Sequence, residues 1–299
     1  MSVKTDPCMS ARNGLGVKAE APGVPRVTVE AAPSNDGQGI RGRSTAPRTL
    51  AIDIGGSGIK ASVLDPRGRM LVDRVRVPTP VGRPPQVVIE ALAKLVAPLP
   101  AYDRIAVGFP GVVREGRILT APNLGHPRWA GFDLARALTA RLGKPVRVAN
   151  DADLQGLAVV RGRGVELVIT LGTGFGTALY LDGRLAPHLE LAHHPFRKGE
   201  TYEEQLGNAA RQRVGHRKWS HHVEKAIEYL RALVHFDHLY IGGGNARKLR
   251  FRPDPDTTII ANEAGIRGGI ALWRADERAD RGSLAGRRPA GAAAAPGRR

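Results

Sequence analysis

Leu50-Ala-Ile-Asp-Ile-Gly-Gly-Ser-Gly-Ile-Lys60 reads as an apolar strand that enters a glycine turn and leaves it as a second strand, Ala61 to Leu64. A turn of this kind can cradle phosphate. Gly55, Gly56 and Gly58 can take positive φ and let the backbone close on an anion, and their N–H groups form a concave nest beside the side chains of Ser57 and Lys60. A P-loop is excluded, because it needs a helix after the glycines and a Gly-Lys-Ser/Thr ending. A simple hairpin turn is the other reading of the same residues.

Outward from this turn the pattern is that of an α/β protein. Strands are expected at Thr49 to Ile54, Ile59 to Leu64, Met70 to Val77 and Arg104 to Phe109, with a helix from Pro85 to Ala97. Asp133 is a candidate N-cap for a helix Leu134 to Leu142 that Gly143 and Pro145 end. The strand Val146 to Ala149 delivers Asn150 and Asp151 to its carboxyl end, where open α/β sheets place ligands, and a helix Ala152 to Arg161 follows. The strand-turn-strand design then recurs as Glu166 to Leu171, the turn Gly172-Thr173-Gly174, and Gly176 to Asp182. Such a repeat is what two similar lobes facing one cleft require. Helices at Tyr202 to Arg213 and Trp219 to Val234, a strand His238 to Ile241, and a last helix Gly268 to Arg274 complete the chain.

Five strings occur in order: Phe109-Pro-Gly111, Val148-Ala-Asn-Asp-Ala152, Leu171-Gly-Thr-Gly-Phe-Gly176, Glu190-Leu-Ala-His193 and Ile241-Gly-Gly-Gly244. Together they resemble the ROK family of sugar kinases in the actin-like ATPase superfamily, from about Thr49 to Trp273. Arg217-Lys218-Trp219, Tyr240 to Asn245 and Asn262 to Gly268 are similar to the polyphosphate glucokinase subgroup. The resemblance implies a two-lobed actin-like ATPase (ribonuclease H-like) fold with mixed β-sheets and an interlobe cleft. Residues 49–149 would form one α/β lobe and 150–274 the other, with the last helix returning to the first. It also implies transfer of a phosphoryl group from polyphosphate or ATP to the 6-hydroxyl of a hexose, glucose foremost, by a cytoplasmic homodimer.

The residue roles follow from chemistry and resemblance together. Phosphoryl transfer needs aligned reactants, anion cradles and a base on the attacking hydroxyl. By resemblance Asp151 is that base, although by position alone it can equally cap the following helix. Asn150 would hold a sugar hydroxyl. Asp53 would orient Mg²⁺ through its waters, as an ion that keeps most of its water and takes one or two carboxylates, or it would only stabilise its turn. Gly172, Thr173 and Gly174 form the second phosphate clamp, and Gly242, Gly243 and Gly244 lie where nucleotide-binding relatives contact adenosine. Glu190 and His193, three residues apart, would project from one side of a helical turn onto adjacent sugar hydroxyls. The family's glycine before that histidine is Ala192 here. By resemblance Gly111 and Asn123 would lie near the sugar, although a Pro-Gly turn needs no ligand, and a further acid would come from Glu203 or Glu204, with Glu204 taken as the contact; solvated helix positions are the other reading of that pair.

Composition narrows the remaining classes. The 299 residues carry a net charge of +17, and residues 49–274 hold 32 basic against 21 acidic side chains. Lys198, Arg197, Arg211, Arg213, Arg217 and Lys218 are dense enough to line a groove for a polyanion, or to be a plain basic surface. Residues 1–48 and 275–299, rich in Pro, Gly, Ala and Arg, are expected to be disordered tails. Cys8 is the only cysteine, so no disulfide and no cysteine-ligated zinc site forms within the chain. The histidines cluster as His188, His193, His194 and as His216, His221, His222, a pattern read as surface or substrate contacts. No apolar run is long enough to span a membrane. A sugar-responsive ROK regulator is the alternative, but residues 1–48 show no helical apolar period for a DNA-reading helix, so no specific nucleic acid is expected. A degenerate kinase is the other alternative, although Asp53, Asn150, Asp151, Glu190 and His193 are all present.

Overall fold

The computed structural model describes residues 46–261 and 264–285. In the first half, β1 (Thr49–Ile54) and β2 (Ile59–Leu64) pair antiparallel with Asp53 opposite Lys60, and β3 (Val75–Val77) adds to β2 with Arg76 opposite Lys60. The helix α1 (Pro85–Val96) starts on a proline, whose missing N–H is harmless in a first helical turn. Next come β4 (Arg104–Phe109), parallel to β1, and a small hairpin of β5 (Val113–Arg114) and β6 (Arg117–Ile118). Asp133 caps α2 (Leu134–Leu142) by accepting the Arg136 N–H at 3.0 Å, and Gly143 ends it at φ 67°. β7 (Val146–Asn150) then pairs parallel with β4.

The second half repeats the plan. After α3 (Asp151–Leu157), the strands β8 (Val165–Leu171), β9 (Phe175–Leu181) and β10 (Arg184–Leu185) form an antiparallel meander. A hairpin of β11 (Pro195–Arg197) and β12 (Glu200–Thr201) leads to α4 (Tyr202–Leu206) and α5 (Asn208–Val234). β13 (His238–Gly242) and β14 (Thr257–Ile259) extend the sheet in parallel from β8. The two sheets run β3-β2-β1-β4-β7 and β10-β9-β8-β13-β14, so each has two antiparallel pairings followed by two parallel ones.

The helix α6 (Ala264–Ala285) closes the chain. On β1 the residues Leu50, Ile52 and Ile54 face the core built with α1 and α2, whereas Ala51 faces α6 through Ile266 and Ile270. Ala51 and Ala106 are small enough to let the helix sit close at Gly269, where an added Cβ would come 3.1 Å from each alanine Cβ. Asp53 shares the Ala51 face by the period of two. That face points the carboxylate toward α3 and the cleft.

Several expected boundaries move, each for a local reason. The strand Met70 to Val77 shrinks to β3, with Met70 left as an isolated bridge to Leu64, because the Ser62 hydroxyl takes the Val72 carbonyl at 2.8 Å in place of a backbone ladder. The helix Ala152 to Arg161 stops at Leu157, because the N–H groups of Arg161, Gly162 and Arg163 turn to the Glu166 carboxylate at 2.6, 2.7 and 3.2 Å. The helix Tyr202 to Arg213 breaks at Gly207, and α5 runs on through a kink at Gly215, whose φ is 78°. The last helix extends past Arg274 to Ala285, so the expected C-terminal tail is helical in its first part. Residues 1–45 and 286–299, with Cys8, lie outside the described residues.

Candidate functional site

The carboxyl ends of β1, β4, β7 and β8 open on a cleft of about 560 Å³. Phe109 and Asn150 end β4 and β7 side by side in register, and α3 begins immediately after. Asn150, not Asp151, caps this helix: its Oδ1 accepts the N–H groups of Ala152 at 2.8 Å and Asp153 at 3.3 Å. Its Nδ2 donates to the Gly111 carbonyl at 3.0 Å. One amide hydrogen of Asn150 therefore stays available on the cleft wall. Gly111 packs so tightly that a Cβ there would fall 2.0 Å from the Thr120 carbonyl oxygen, so its glycine serves the fold that carries Asn150.

With the cap taken by its neighbour, Asp151 is released to face the cleft. Gly108 permits the close approach, since a Cβ at that position would lie 3.7 Å from the Asp151 Cα and 3.3 Å from Leu154. Burial and then the nearby Asp53 carboxylate push the Asp151 pKa up to about 7, against the Ala152 N–H at 2.9 Å from its Oδ1. Asp53 itself holds the Lys60 ammonium at 2.9 Å through Oδ2.

Two glycine turns face each other across the cleft. The Ser57 hydroxyl lies 3.2 Å from that of Thr173, so the tips of both turns touch. None of Gly55, Gly56, Gly58, Gly172 and Gly174 takes a left-handed φ, contrary to the expectation that positive φ explains them. Close approach is the reason instead. A Cβ on Gly58 would come 3.0 Å from the Arg76 guanidinium, and one on Gly174 would come 2.5 Å from the Glu203 carboxylate. Thr173 stands over the first residue of α5, whose Asn208 N–H donates to its carbonyl at 3.1 Å. The exposed N–H groups of a helix start favour an anion there.

Glu190, Ala192, His193 and Glu203 also line the cleft, the Glu203 carboxylate lying against the second glycine turn at Gly174. The Glu190 to His193 segment is a turn in a loop and not the expected helical turn. Ala192 costs this loop nothing: positive φ at non-glycine residues is confined, among the described residues, to Glu115, Asp182, Lys198 and His235. Two backbone bonds, Glu203 N–H to the Ala192 carbonyl at 2.9 Å and Tyr202 N–H to the His194 carbonyl at 3.1 Å, fasten the loop to α4. They bring Glu203 into the cleft, where burial raises its pKa against the field of His193.

Glu204 is corrected out of the site. It is the third residue of α4 in a capping box, its carboxylate accepting the Thr201 N–H at 2.8 Å and the Thr201 hydroxyl at 2.9 Å. Glu203→Gln is expected to raise the KM for the substrate of this cleft at least tenfold, whereas Glu204→Gln leaves both that KM and the stability unchanged, because a glutamine at the third helical position still closes the capping box. Steady-state kinetics and urea melts of the two variants check this.

Gly242 also leaves the site, being paired with Thr170 inside the sheet, while Gly243 and Gly244 line the cleft. Gly243 is the glycine that does need its conformation, at φ 85° with a Cβ position 2.4 Å from the Leu171 carbonyl oxygen. Of the two readings of Lys198, Arg197, Arg211, Arg213, Arg217 and Lys218, a polyanion groove or a plain basic surface, the cleft itself uses neither, since none of the six lines it. Arg213 instead pairs with Glu200 at 3.1 Å, and Arg211 holds the Asn208 Oδ1 and His216. The cations that do line it are Lys60, Arg76 and Lys248. Asp53, Gly55, Gly56, Ser57, Asn123, Gly172, Thr173 and Gly174 all line it as expected. Among the described residues no group of three or more His, Cys, Asp or Glu side chains is arranged to hold a metal.

The sequence profile of the ROK family matches residues 49–188. Over 252 residues the chain is 30% identical to the polyphosphate glucokinase of Mycobacterium tuberculosis, which covers 79% of this chain and 94% of that one. The chain belongs to the ROK family. Its fold agrees with the crystal structure of the inorganic polyphosphate/ATP-glucomannokinase from Arthrobacter sp. strain KM, at a TM-score of 0.68 and 36% identity. That match covers 78% of this ROK chain and 100% of the other. The two sheets of equal strand order around one cleft are thus the actin-like ATPase arrangement. A further relative of this ROK protein is the N-acetylmannosamine kinase of Escherichia coli, 35% identical over 144 residues, 46% of this chain and 48% of that one.

Arg76, His188, Asn208, Asn245 and Lys248 line the cleft beside the expected residues. Arg76 was reachable in principle, since it follows from pairing β3 on β2 opposite Lys60. Asn245 and Lys248 belong to the loop after β13, where Asn245 Nδ2 donates to the Gly172 carbonyl at 3.0 Å and Lys248 holds Asn245 Oδ1 at 2.9 Å. No local pattern marks that contact between distant loops.

Proposed function

We propose that this protein transfers a phosphoryl group from polyphosphate or ATP to the 6-hydroxyl of a hexose, glucose first, with Asp151 as general base. The observation that carries the reading is the place of Asp151: on the cleft that both glycine turns and Glu190, His193 and Glu203 also line, with a pKa of about 7. A base of that pKa is matched to neutral pH.

In this reading the Asp151 carboxylate takes the proton of the attacking hydroxyl while the free amide hydrogen of Asn150 steadies the sugar. Glu190, His193 and Glu203 hold the remaining hydroxyls. The glycine turns and the cations Lys60, Arg76 and Lys248 draw the donor phosphates to the other side, so both reactants are aligned before chemistry. A Mg²⁺ ion fits the donor set, because Asp53 and Asp151 concentrate negative charge at one spot and Lys60 occupies only Oδ2 of Asp53. Asp53 would hold it through water, and the bound ion would neutralise charge on the transferring phosphoryl group. The relatives named for polyphosphate glucokinase and glucomannokinase activity support glucose and polyphosphate; the one named for N-acetylmannosamine defines the competing sugar.

The test is a glucose-6-phosphate assay with glucose and Mg²⁺, run in parallel with polyphosphate and with ATP, and repeated with N-acetylmannosamine as acceptor. Product from glucose with either donor is the expected result. Turnover of N-acetylmannosamine alone would replace the sugar assignment, and no product from any pairing would sink the kinase reading.

A further inference from the structure

Three features of the described residues stand outside the chemistry above: a second hollow between α5 and the loop before β14, the exposed apolar residues Leu181 and Leu185 on the edge of the second sheet, and a line of ionisable side chains behind Glu190. Only the last carries both a geometry and a consequence for the site. His188 lies between two carboxylates, its Nδ1 3.2 Å from Asp153 Oδ1 and its Nε2 3.5 Å from Glu190 Oε2. The His188 and Asp153 side chains are only 9% and 7% exposed.

We propose that His188 is a positioning residue, which fixes the Glu190 carboxylate against α3 so that the sugar-binding wall is set in register with the base. The proposal rests on the sugar kinase reading. A neutral imidazole offers one N–H and one lone pair, and the lone pair would face a carboxylate oxygen at one of these two contacts. Both nitrogens are satisfied only when both carry protons. Burial opposes that charge, but the hydrogen bond to Asp153 and the contact with Glu190 outweigh it and push the His188 pKa up to about 9. Asp151 is the third carboxylate in the field of this imidazolium, which lowers its pKa against burial.

The line has a rigid end and a loose end. Asp153 is fixed in the first turn of α3, where its N–H meets Asn150 Oδ1, and its carbonyl accepts the Tyr180 hydroxyl from β9. Glu190 sits in the loop between β10 and β11, its side chain 29% exposed and with no further hydrogen bond among the described residues. A carboxylate in a loop samples several rotamers unless something holds it, and binding then bears the cost of ordering it. His188, two residues earlier in the same loop, supplies the hold by tying Glu190 to Asp153 of the helix that carries Asp151. It makes no hydrogen bond to Asp151, so its effect falls on sugar binding before it falls on turnover.

The experiment compares His188→Ala, His188→Asn and Glu190→Gln in the full chain, with the His188→Ala/Glu190→Gln double variant. His188→Ala is expected to raise the KM for sugar at least tenfold, to lower kcat no more than a few-fold, and to leave the KM for the phosphoryl donor unchanged. The double variant should bind sugar no worse than Glu190→Gln alone, because the histidine acts through that carboxylate. Additive losses, or a parallel rise in the donor KM with a lowered melting temperature, would overturn the proposal in favour of an independent contact or a structural role. A readout without activity separates this from failure of the kinase reading. In ¹⁵N NMR of the wild-type chain both His188 ring nitrogens should stay protonated at pH 7.5, and Glu190→Gln should bring the titration down toward an ordinary histidine. A His188 that is neutral at pH 7.5 in the wild type overturns the proposal whatever the enzyme does.

Discussion

Asp151→Asn is expected to lower kcat by about 10²–10⁴-fold while changing sugar affinity only a few-fold, and to make the protein more stable. The loss follows from removing the proton acceptor while keeping a side chain of the same size. The gain in stability follows from the raised pKa. In the unfolded chain the carboxyl titrates near 3.8, and in the folded chain burial and Asp53 move it to about 7. The folded state therefore resists ionisation. The resulting penalty is absent below the unfolded value, grows as pH rises between the two, and is complete above about 7. Asparagine has no charge to bury, so at pH 8 the variant should be more stable by on the order of 2 kcal/mol, a value discounted for water in the open cleft. At pH 3, below the unfolded value, the difference should nearly vanish. Denaturant melts at the two pH values check the sign, and equal stability at pH 8 would show that Asp151 is not held in a charge-averse site. The same shift predicts that kcat/KM of the wild type rises with pH through about 7, since only the carboxylate accepts a proton. Mg²⁺ beside Asp53 offsets the charge that helps raise this pKa, so saturating metal should move the inflection lower.

The features of this site that could be read from the chain are those in which one residue's role is set by its own strand and turn. Asp53, Ser57, Asp151 and Thr173 each lie at or just past the end of an apolar strand, and Lys60 stands opposite Asp53 at the start of the next one, so the period of two together with the position of the turn is enough to bring them to one edge. The repeated strand order was legible for the same reason, since two strand-turn-strand units of matching pattern pair in matching ways. What the pattern did not disclose depended on contacts between segments far apart in sequence. Glu203 and Glu204 are adjacent and alike, and only the backbone bond to Ala192 together with the Thr201 capping box decides which carboxylate enters the cleft. Asn150 and Asp151 are both good caps, and the choice fell to Asn150 because its amide also reaches Gly111 across the β4 end. The basic residues of α5 and of the loop before it looked like a groove by number, yet their direction follows from pairing with Glu200 and Asn208. Charge density along a chain does not carry direction.

Gly268→Ala is expected to be the most damaging glycine-to-alanine substitution in α6, destabilising by about 3 kcal/mol or more and lowering activity beyond its effect on folding. A Cβ at Gly268 would lie 1.8 Å from the Leu154 carbonyl oxygen and 2.8 Å from its carbon, both backbone atoms of α3 that cannot rotate away. Either α6 lifts off α3, or α3 shifts. Lifting α6 would uncover Ile266 and Ile270 from Ala51 and Leu64 and strain the Trp273 indole N–H, which donates to the Ile105 carbonyl at 3.3 Å. Shifting α3 would displace Asp151 from its place at the head of that helix, which is why activity should suffer in the fraction that still folds. Neighbouring glycines of the same helix supply the controls. Gly265 faces α3 one turn earlier, but its Cβ would meet only the Gln155 side chain at 3.5 Å, an ordinary contact, so Gly265→Ala should be neutral or stabilising by up to about 1 kcal/mol through helix propensity. Gly269→Ala, at 3.1 Å from the Ala51 and Ala106 methyl groups, should fall between the two. Urea midpoints in that order would establish that the helix is held to α3 by backbone proximity at one residue; equal midpoints for all three would mean that α6 packs with slack and does not set the position of Asp151.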